Sequence, residues 1–359
     1  MKIAVLHNFM DNIGGAEIVS LILAKELNAD LYTTNIDREK ISKMGFKNMR
    51  IQSIGSIPTN APLRQQLALL RFRYLNLGDK YDFYIISGDW AMSAAINNRP
   101  NLWFVHSPIR EIWDLYKFTR QQSVPWYARN IFDVWVHYNR FLNKKYVKHV
   151  NRIASNSENT AKRVHDFLKK DATVIYPPIN TKQFSYRVNG NFWLSVNRLI
   201  THKRIAMQLE AFKFLPKEKL VIVGSFEKSY HFQKYAEVIK SHKPENVQIL
   251  SWVDAPKLAN LYATCKGFIT TASDEDFGMA VVEAMASGKP VIAPNEGGFK
   301  ETVINKKNGL LIDDINPEKL KNAIEEIGKN PKSYKKACIN QANKFDTKIF
   351  IEKIRQQIQ

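Results

Sequence analysis

The feature that most constrains the fold is a regular alternation of short apolar runs with segments of helical periodicity, which is typical of parallel α/β sheets. The first half of the chain contains the strand-like runs Ile3–Leu6, Leu31–Thr34, Phe83–Ser87, Leu102–His106, Arg152–Ser155 and Ala172–Tyr176. A second set comprises Phe192–Val196, Leu220–Val223, Val247–Leu250, Gly267–Thr271, Pro290–Ala293 and Gly309–Ile312. We therefore expect an α/β protein of two Rossmann-like, doubly wound domains that face each other across a cleft.

The boundary between the domains is predicted at Pro177-Pro178, because paired prolines interrupt both helices and central strands. This gives an N-terminal domain at 1–178 and a C-terminal domain at 179–345. The last helical pattern, at about 346–359, follows a complete second domain and is expected to pack back onto the first. Ligands of doubly wound sheets bind beyond the carboxyl ends of the strands, so the site is expected in the cleft.

Composition excludes several classes of protein. The two cysteines, Cys265 and Cys338, are too few for a disulfide framework and lack metal-ligand spacing. No apolar run is long enough to span a bilayer. Met1 leads directly into a strand-like run, whereas a secretory signal is expected to have a basic region followed by an apolar region. A net charge of +19, from 53 Lys and Arg against 34 Asp and Glu, favours anionic partners.

The first candidate loop is Asn8–Glu17, which contains Gly14 and Gly15 between the first strand and the first helix. Glycines at a helix N-terminus allow close approach of the backbone to a phosphate or a polyol oxygen. The loop is neither a Walker loop nor a GxGxxG fingerprint, so a merely structural turn is the competing interpretation.

The second candidate loop follows the first strand of the second domain and contains Arg198 and Lys203. Two cations five residues apart, flanking a turn into a helix, are suited to gripping a diphosphate, with arginine as a planar fork and lysine as a point charge. The competing interpretation is a solvated surface loop.

The third candidate region, Ser273–Gly288, is the richest in polar and glycine residues. Glu275 precedes a helix predicted to begin near Gly278, and Glu283 lies within that helix between apolar residues. A carboxylate on an apolar helix face is costly unless it is hydrogen-bonded, so Glu283 is expected to meet ligand hydroxyls or a buried partner.

These motifs together resemble the family 4 retaining glycosyltransferases (glycosyl transferases group 1), which adopt the two-domain GT-B fold. The resemblance rests on Glu275 and Glu283, separated by seven residues, and on the loops already described. It extends in the right order over essentially the whole chain, including Gly14-Gly15-Ala16-Glu17, Ala154-Ser155-Asn156-Ser157, Val174–Asn180, Ala284–Ala293 and Gly297-Gly298-Phe299-Lys300-Glu301. The sequence departs from the family at Asp276, and at Ser251, which precedes the Trp252-Val253 loop near the nucleotide base.

The resemblance implies a role for each site residue. Arg198 and Lys203 would neutralise the leaving diphosphate, Glu283 would bind the ribose hydroxyls, and Glu275 would hold the donor sugar. The remaining donor contacts would be backbone groups, at Gly14, Gly15, Phe277, Gly278 and Met279. His106 matches the histidine that the family places near the sugar, although a lone histidine at a strand end is more often structural. No metal or other cofactor is implied.

The expected function is that of a retaining glycosyltransferase that moves a hexose from a nucleotide-diphosphate sugar to a hydroxyl of a glycan or lipid-linked acceptor. The stretch His106–Asp114 resembles members that act in surface-polysaccharide assembly, several of them mannosyltransferases, and this favours GDP-mannose over UDP-sugars. A sugar-nucleotide epimerase or a phosphorylase of the same fold is the main alternative. A nucleic-acid-binding protein would explain the charge but would leave Glu275 and Glu283 without a role, so no nucleic-acid partner is expected.

The basic excess is partly concentrated in 118–152, where aromatic and basic residues alternate along a long helical stretch: Trp126, Tyr127, Arg129, Trp135, Tyr138, Arg140, Lys144, Lys145 and Lys148. Such a surface suits shallow docking on anionic lipid, and Arg64, Arg71 and Arg73 around Leu67, Leu69 and Leu70 could extend it. The sequence thus predicts a peripheral enzyme on the cytoplasmic face of the membrane, with a merely basic, soluble surface as the alternative.

Overall fold

The computed structural model describes residues 1–188, 190–224, 230–251 and 253–359 of the chain. These residues divide into two compact units. The first comprises Met1–Pro178 together with Phe350–Gln359, and the second comprises Ile179–Ile349. Trp252, which the sequence analysis places near the nucleotide base, lies outside the described residues.

The first unit is built on a parallel sheet that has seven strands within its described residues, in the order β3-β2-β1-β4-β5-β6-β7. The strands are β1 Ile3–Leu6, β2 Asp30–Thr33, β3 Ile51–Ser53, β4 Phe83–Ile86, β5 Asn101–Val105, β6 Arg152–Ser155 and β7 Thr173–Val174. The α-helices are α1 Gly15–Glu26, α2 Arg38–Lys43, α3 Leu63–Tyr74, α4 Tyr116–Gln122, α5 Arg129–Tyr146 and α6 Glu158–Leu168. Strand β3 was not predicted, because this three-residue edge strand buries only Ile51 and therefore carries no apolar run.

The second unit repeats this arrangement with a described parallel sheet of six strands, in the order β10-β9-β8-β11-β12-β13. Its strands are β8 Phe192–Val196, β9 Lys219–Val223, β10 Val247–Leu250, β11 Phe268–Ile269, β12 Val291–Pro294 and β13 Gly309–Ile312. Its helices are α7 Ile205–Lys213, α8 Tyr230–Ser241, α9 Ala255–Thr264, α10 Met279–Ala286, α11 Phe299–Thr302, α12 Pro317–Gly328 and α13 Lys335–Ala342. The last helix is α14 Thr347–Ile358, and its residues from Phe350 onward belong, with Gln359, to the first unit.

Each unit has its own hydrophobic core, formed where its helices cover the strands of its sheet. In the first unit the largest fully buried side chains include Tyr84, Trp103, Phe104 and Phe72, and Phe350 of α14 packs edge-to-face on Phe104 with ring centroids 5.5 Å apart. In the second unit the core includes Trp193, Phe212, Ile222 and Ile324. Strands buried on both faces explain the continuous apolar runs in the sequence.

Both sheets change strand order at the same kind of position. In the first sheet, β2 and β3 lie on one side of β1, and the chain then crosses to the other side with β4. In the second sheet, β9 and β10 lie on one side of β8, and the chain then crosses to the other side with β11. Loops that follow the two strands at such a switch point leave room for a ligand between them. Ligand sites are therefore expected at the loops after β1 and β4 in one unit and after β8 and β11 in the other.

No helix within the described part of the chain is both long enough and apolar enough to cross a bilayer.

Candidate active site

In the second unit, the loop after β8 and the loop after β11 are held together by hydrogen bonds at the carboxyl edge of the sheet. The backbone N–H of Ser273 donates to the carbonyl of His202 at 2.8 Å, and the Thr271 hydroxyl donates to the carbonyl of Lys203 at 2.8 Å. The amide of Gln208 on α7 donates to the same Thr271 hydroxyl at 2.9 Å. The two predicted site loops are therefore joined by hydrogen bonds into one patch.

Lys203 and Glu275 form an ion pair across this patch. Their side chains are only 13% and 22% exposed, so the pair is poorly screened by solvent. Burial would raise the pKa of Glu275, but the charge and hydrogen bond of Lys203 outweigh it, with smaller contributions from His202 and Arg198, and the pKa lies below its usual value. Glu275 is therefore ionised at neutral pH, and the positive charges of Lys203 and Arg198 lie within electrostatic range of it.

Arg204 strengthens the same patch and was missed by the sequence analysis. It is the residue before α7 and adopts a left-handed backbone conformation, with φ +51°. Its guanidinium donates to the carbonyls of Thr271 at 2.5 Å and Ala272 at 3.2 Å, and it pairs with Glu296. The other carboxylate oxygen of Glu296 accepts from the backbone N–H of Asp274 at 3.2 Å. Arg204 and Glu296 thus clamp the loop that carries Glu275.

The predicted start of the helix after Glu275 is confirmed, since α10 begins at Met279 with Gly278 as the preceding cap residue. Gly278 has φ +88°, and a Cβ there would lie 2.7 Å from the ring of Phe299, so only glycine fits. The Phe277 side chain is buried against Phe345, with ring centroids 5.3 Å apart, which leaves its backbone as the part available to a ligand. In the first turn of α10 the N–H of Val281 donates to the carbonyl of Gly278 at 3.0 Å. N–H groups at a helix N-terminus are in general suited to an anion or a sugar hydroxyl.

Glu283 lies inside α10, as predicted, and has a buried partner. The Tyr262 hydroxyl donates to its carboxylate at 2.7 Å. Burial raises the pKa of Glu283, and the hydrogen bond from Tyr262 opposes that rise. A carboxylate can accept about four hydrogen bonds, so this contact orients Glu283 and leaves acceptor capacity for ligand hydroxyls.

Glycines at the loop contacts allow backbone to pack directly on backbone. The N–H of Gly298 donates to the carbonyl of Glu275 at 2.8 Å, and a Cβ on Gly298 would lie 2.5 Å from the carbonyl oxygen of Asp276. A Cβ on Gly224, just after β9, would lie 1.8 Å from the carbonyl oxygen of Asn197, next to Arg198. Gly224 was missed by the sequence analysis because it stands outside any glycine-rich run.

In the first unit, the corresponding edge of the sheet carries a chain of hydrogen-bonding side chains. The Ser87 hydroxyl, after β4, lies 2.8 Å from that of Ser20 on α1 and 2.9 Å from Nε2 of His106, after β5. Nδ1 of His7, after β1, lies 3.2 Å from the carbonyl oxygen of Ser87. The pairing of β4 with β5 thus brings His106 next to the end of β4.

The glycine pair lies at the same edge of the first sheet. Gly14 caps α1 in an extended conformation, with φ −162°, and Gly15 is the first residue of the helix. A Cβ on Gly14 would lie 2.5 Å from a carboxylate oxygen at the flexible end of the Glu17 side chain. The predicted residues therefore fall into two groups, with Gly14, Gly15 and His106 in the first unit and the others in the second, each group at the carboxyl edge of its own sheet.

His106 is held in its neutral form. Burial is the main cause and the charge of His7 adds to it, while Glu17 and the bond to Ser87 oppose them, so the pKa of His106 falls to about 3. The unfolded chain binds a proton at this histidine below about pH 6.5, whereas the folded chain does not. Stability conferred by neutral His106 is therefore present above about pH 6.5 and is lost as the pH falls from there toward 3.

We expect the substitution His106→Asn to reduce this loss of stability in acid, because asparagine has no proton to take up. The measurement is the midpoint of thermal unfolding at neutral pH and at about pH 5, where an ordinary histidine is charged. His165→Asn is the matched control, since His165 is 63% exposed beside Asp171. Equal acid sensitivity of wild type and His106→Asn would contradict the prediction.

The sheets, their strand order and the loops at the second switch point define a protein of the GT-B fold. A solved Anabaena structure, described as a complex with UDP and glucose, matches with a TM-score of 0.79 over 100% of this chain and 99% of that one, at 18% identity. At that identity the likeness concerns the fold.

Residues 179–345, which lie within the second unit, match the model of the family described as "Glycosyl transferases group 1". An α-1,3/1,6-mannosyltransferase of Dictyostelium discoideum is 26% identical over 100% of this chain and 97% of its own length. An uncharacterized glycosyltransferase of Methanocaldococcus jannaschii is 27% identical over 60% of both chains. The second unit is thus similar to this family, and the chain spans 60% of the length of the archaeal relative.

Proposed function

We propose that the protein transfers a hexose, with retention of anomeric configuration, from a nucleoside-diphosphate sugar to a hydroxyl of a glycan or lipid-linked acceptor. The observation that carries the proposal is the Lys203–Glu275 pair on two adjoining loops of the second sheet's switch point, with the Arg198 charge within range. The cations of this arrangement suit the diphosphate of such a donor. The fixed carboxylate suits the hydroxyls of its sugar.

In the proposed reaction the bond between the anomeric carbon and the diphosphate oxygen breaks while the acceptor oxygen bonds to the same face of the sugar. The acceptor proton passes to the leaving phosphate, and Arg198 and Lys203 stabilise the negative charge that develops there. Glu275 and the backbone N–H groups of Phe277–Met279 orient the sugar. No carboxylate serves as nucleophile and no metal takes part.

The remaining predicted residues complete the donor and acceptor contacts. Glu283, oriented by Tyr262, binds the ribose hydroxyls. Gly14 and Gly15 let the α1 N-terminus approach the donor phosphates. Neutral His106 forms one hydrogen bond with the sugar.

We propose GDP-mannose as the preferred donor and a UDP-sugar as the second choice. The mannosyltransferase relative favours mannose as the transferred sugar. The structural neighbour was solved with UDP and glucose, so the experiment must distinguish GDP from UDP as the nucleotide of the donor. The acceptor is proposed to be membrane-associated, with the enzyme acting at the cytoplasmic face as a peripheral protein.

The test is a thermal-unfolding titration with GDP and with UDP. A ligand at 100 times its Kd stabilises the native state by about 2.7 kcal/mol, which is a measurable shift. We expect a rise in Tm with GDP that is absent in Arg198→Ala/Lys203→Ala and present in Lys213→Ala/Lys217→Ala, which removes two exposed cations from the same unit. A rise with UDP alone would reassign the donor, and no rise with either nucleotide would contradict the proposal.

A further inference from the structure

The outer face of α5 carries a row of large apolar side chains that the first unit does not cover. Ile131, Val134, Tyr138 and Phe141, hereafter the α5 stripe, follow one another at intervals of three or four residues and are 55–74% exposed. Residues with this spacing lie on one side of a helix. The opposite side of α5 supplies Val136, Leu142 and Tyr146 to the core. The helix therefore has two apolar faces, and only one of them is buried in the first unit.

The turn before α5 extends this surface. Trp126 and Tyr127 are 79% and 71% exposed and contact each other edge-to-face, with ring centroids 5.9 Å apart. Of the 15 large hydrophobic side chains that are exposed among the described residues, six lie within 126–141. Monomeric soluble proteins rarely gather so many large apolar side chains in one place without a binding partner.

The surroundings of the α5 stripe are strongly basic. Residues 115–151 contain seven Lys and Arg and a single acidic residue, Asp133, which is paired with Arg120. The exposed cations of this segment include Lys117, Lys144, Lys145 and Lys148. Lys145 lies four residues after Phe141 and therefore continues the line of the stripe, so the apolar row ends in positive charge.

This surface differs from the one that the sequence indicated. Trp135 packs against Trp90 and Phe132 in the core, and Arg140 donates to the carbonyl of Ile112 at 2.6 Å. Arg64 is paired with Asp11. The exposed surface is formed by Ile131, Val134 and Phe141 instead of Trp135, Arg140 and Arg64.

We propose that the α5 stripe, with Trp126 and Tyr127, docks on the surface of an anionic lipid bilayer. Apolar side chains on an interfacial helix enter the boundary between headgroups and acyl chains, Trp and Tyr rings suit the headgroup level, and lysines bind anionic headgroups. A second copy of the chain fits less well, because two surfaces of like positive charge would repel each other. The row from Ile131 to Phe141 is also only about 15 Å long, at 1.5 Å per helical residue.

The test is co-sedimentation of the full chain with vesicles of phosphatidylcholine alone and of phosphatidylcholine with phosphatidylglycerol. We expect binding to the anionic vesicles at low salt and little binding to the neutral ones. The substitution Ile131→Ser/Val134→Ser/Phe141→Ser is expected to lower the partition coefficient at least about tenfold, since it removes three apolar groups from the interface. Val188→Ser/Phe214→Ser is the control, because these side chains are equally exposed in the second unit.

A charge variant tests the electrostatic part. Lys144→Gln/Lys145→Gln should weaken binding at low salt by roughly fivefold per charge, and by much less at high salt, where surface charges are screened. The control is Lys332→Gln/Lys336→Gln, which removes two exposed lysines from the second unit.

Three results would overturn the proposal. They are absence of binding to anionic vesicles at low salt, equal binding by the stripe variant and its control, and a solution dimer that the stripe variant abolishes, which would assign the face to a second copy. Nucleotide-induced stabilisation of the stripe variant is expected to be unchanged. A failure of docking is therefore distinguishable from a failure of the proposed function.

Discussion

Removal of both diphosphate cations, in Arg198→Ala/Lys203→Ala, is expected to reduce the rate of donor cleavage by about 10⁴-fold or more. One preorganised group that stabilises developing negative charge contributes on the order of 10²–10³ in kcat, and two such groups act on the same leaving phosphate. Release of nucleoside diphosphate from GDP-mannose or UDP-glucose, with water as the acceptor, measures this rate without knowledge of the natural acceptor. In the wild type, proton NMR should show that the hexose released first keeps the α configuration of the donor.

The variant also leaves Glu275 partly buried without its lysine, so loss of structure must be separated from loss of chemistry. Lys203→Arg keeps the charge beside Glu275 and is expected to retain more activity than Lys203→Ala, at similar stability. Lys213→Ala/Lys217→Ala serves again as the control for net charge. A folded double variant that cleaves donor within tenfold of the wild-type rate would show that these cations do not face the leaving group.

The substitution Gly224→Ala is expected to lower stability by about 3 kcal/mol and to weaken nucleotide binding. The added Cβ would lie 1.8 Å from the carbonyl oxygen of Asn197, and Cβ contacts below 3.0 Å are essentially never observed. Because the obstacle is backbone, it cannot rotate aside, and the loop that carries Arg198 must move. Chemical denaturation and the nucleotide titration measure the two effects.

Gly328→Ala is the matched control for this prediction. Gly328 ends α12, and a Cβ there meets nothing closer than Trp193 at 3.9 Å. Alanine is favoured over glycine in a helix by up to about 1 kcal/mol, so this variant should be as stable as the wild type or more so. If Gly224→Ala instead unfolds at the same denaturant concentration as Gly328→Ala, the backbone contact between Gly224 and Asn197 does not constrain the loop.

Much of the second unit's site was predictable because parallel strands end at one edge of a sheet. Once β8 and β11 are recognised as strands, the loops that contain Arg198 and Glu275 must emerge at the same edge. The direct pairing of Lys203 with Glu275 was not predictable, because it depends on the register of the two loops. Arg204 and Glu296 were missed for a related reason, since they are separated by 92 residues and join only through the folded loops.

The orientation of α5 could not be predicted from the sequence. Apolar and aromatic residues occur on two sides of this helix, so its periodicity does not identify the side that is buried. Packing decides this, since Trp135 lies against Trp90 with ring centroids 6.1 Å apart and the Gln66 amide of α3 donates to Asn139 at 2.8 Å. Trp135 was consequently predicted at the surface and Phe141 was overlooked, whereas the structure places Trp135 inward and Phe141 outward.

The path of the chain between the two units has a consequence for how the protein can be dissected. The second unit is one uninterrupted stretch, and its ends adjoin, since the N–H of Thr347 donates to the carbonyl of Ile179 at 3.1 Å. In topological terms it is an insertion into the first unit, whose last ten residues follow it in the sequence. A single proteolytic cut between the units therefore leaves them covalently joined, and the first unit can be produced alone only if Phe350–Gln359 is supplied with it.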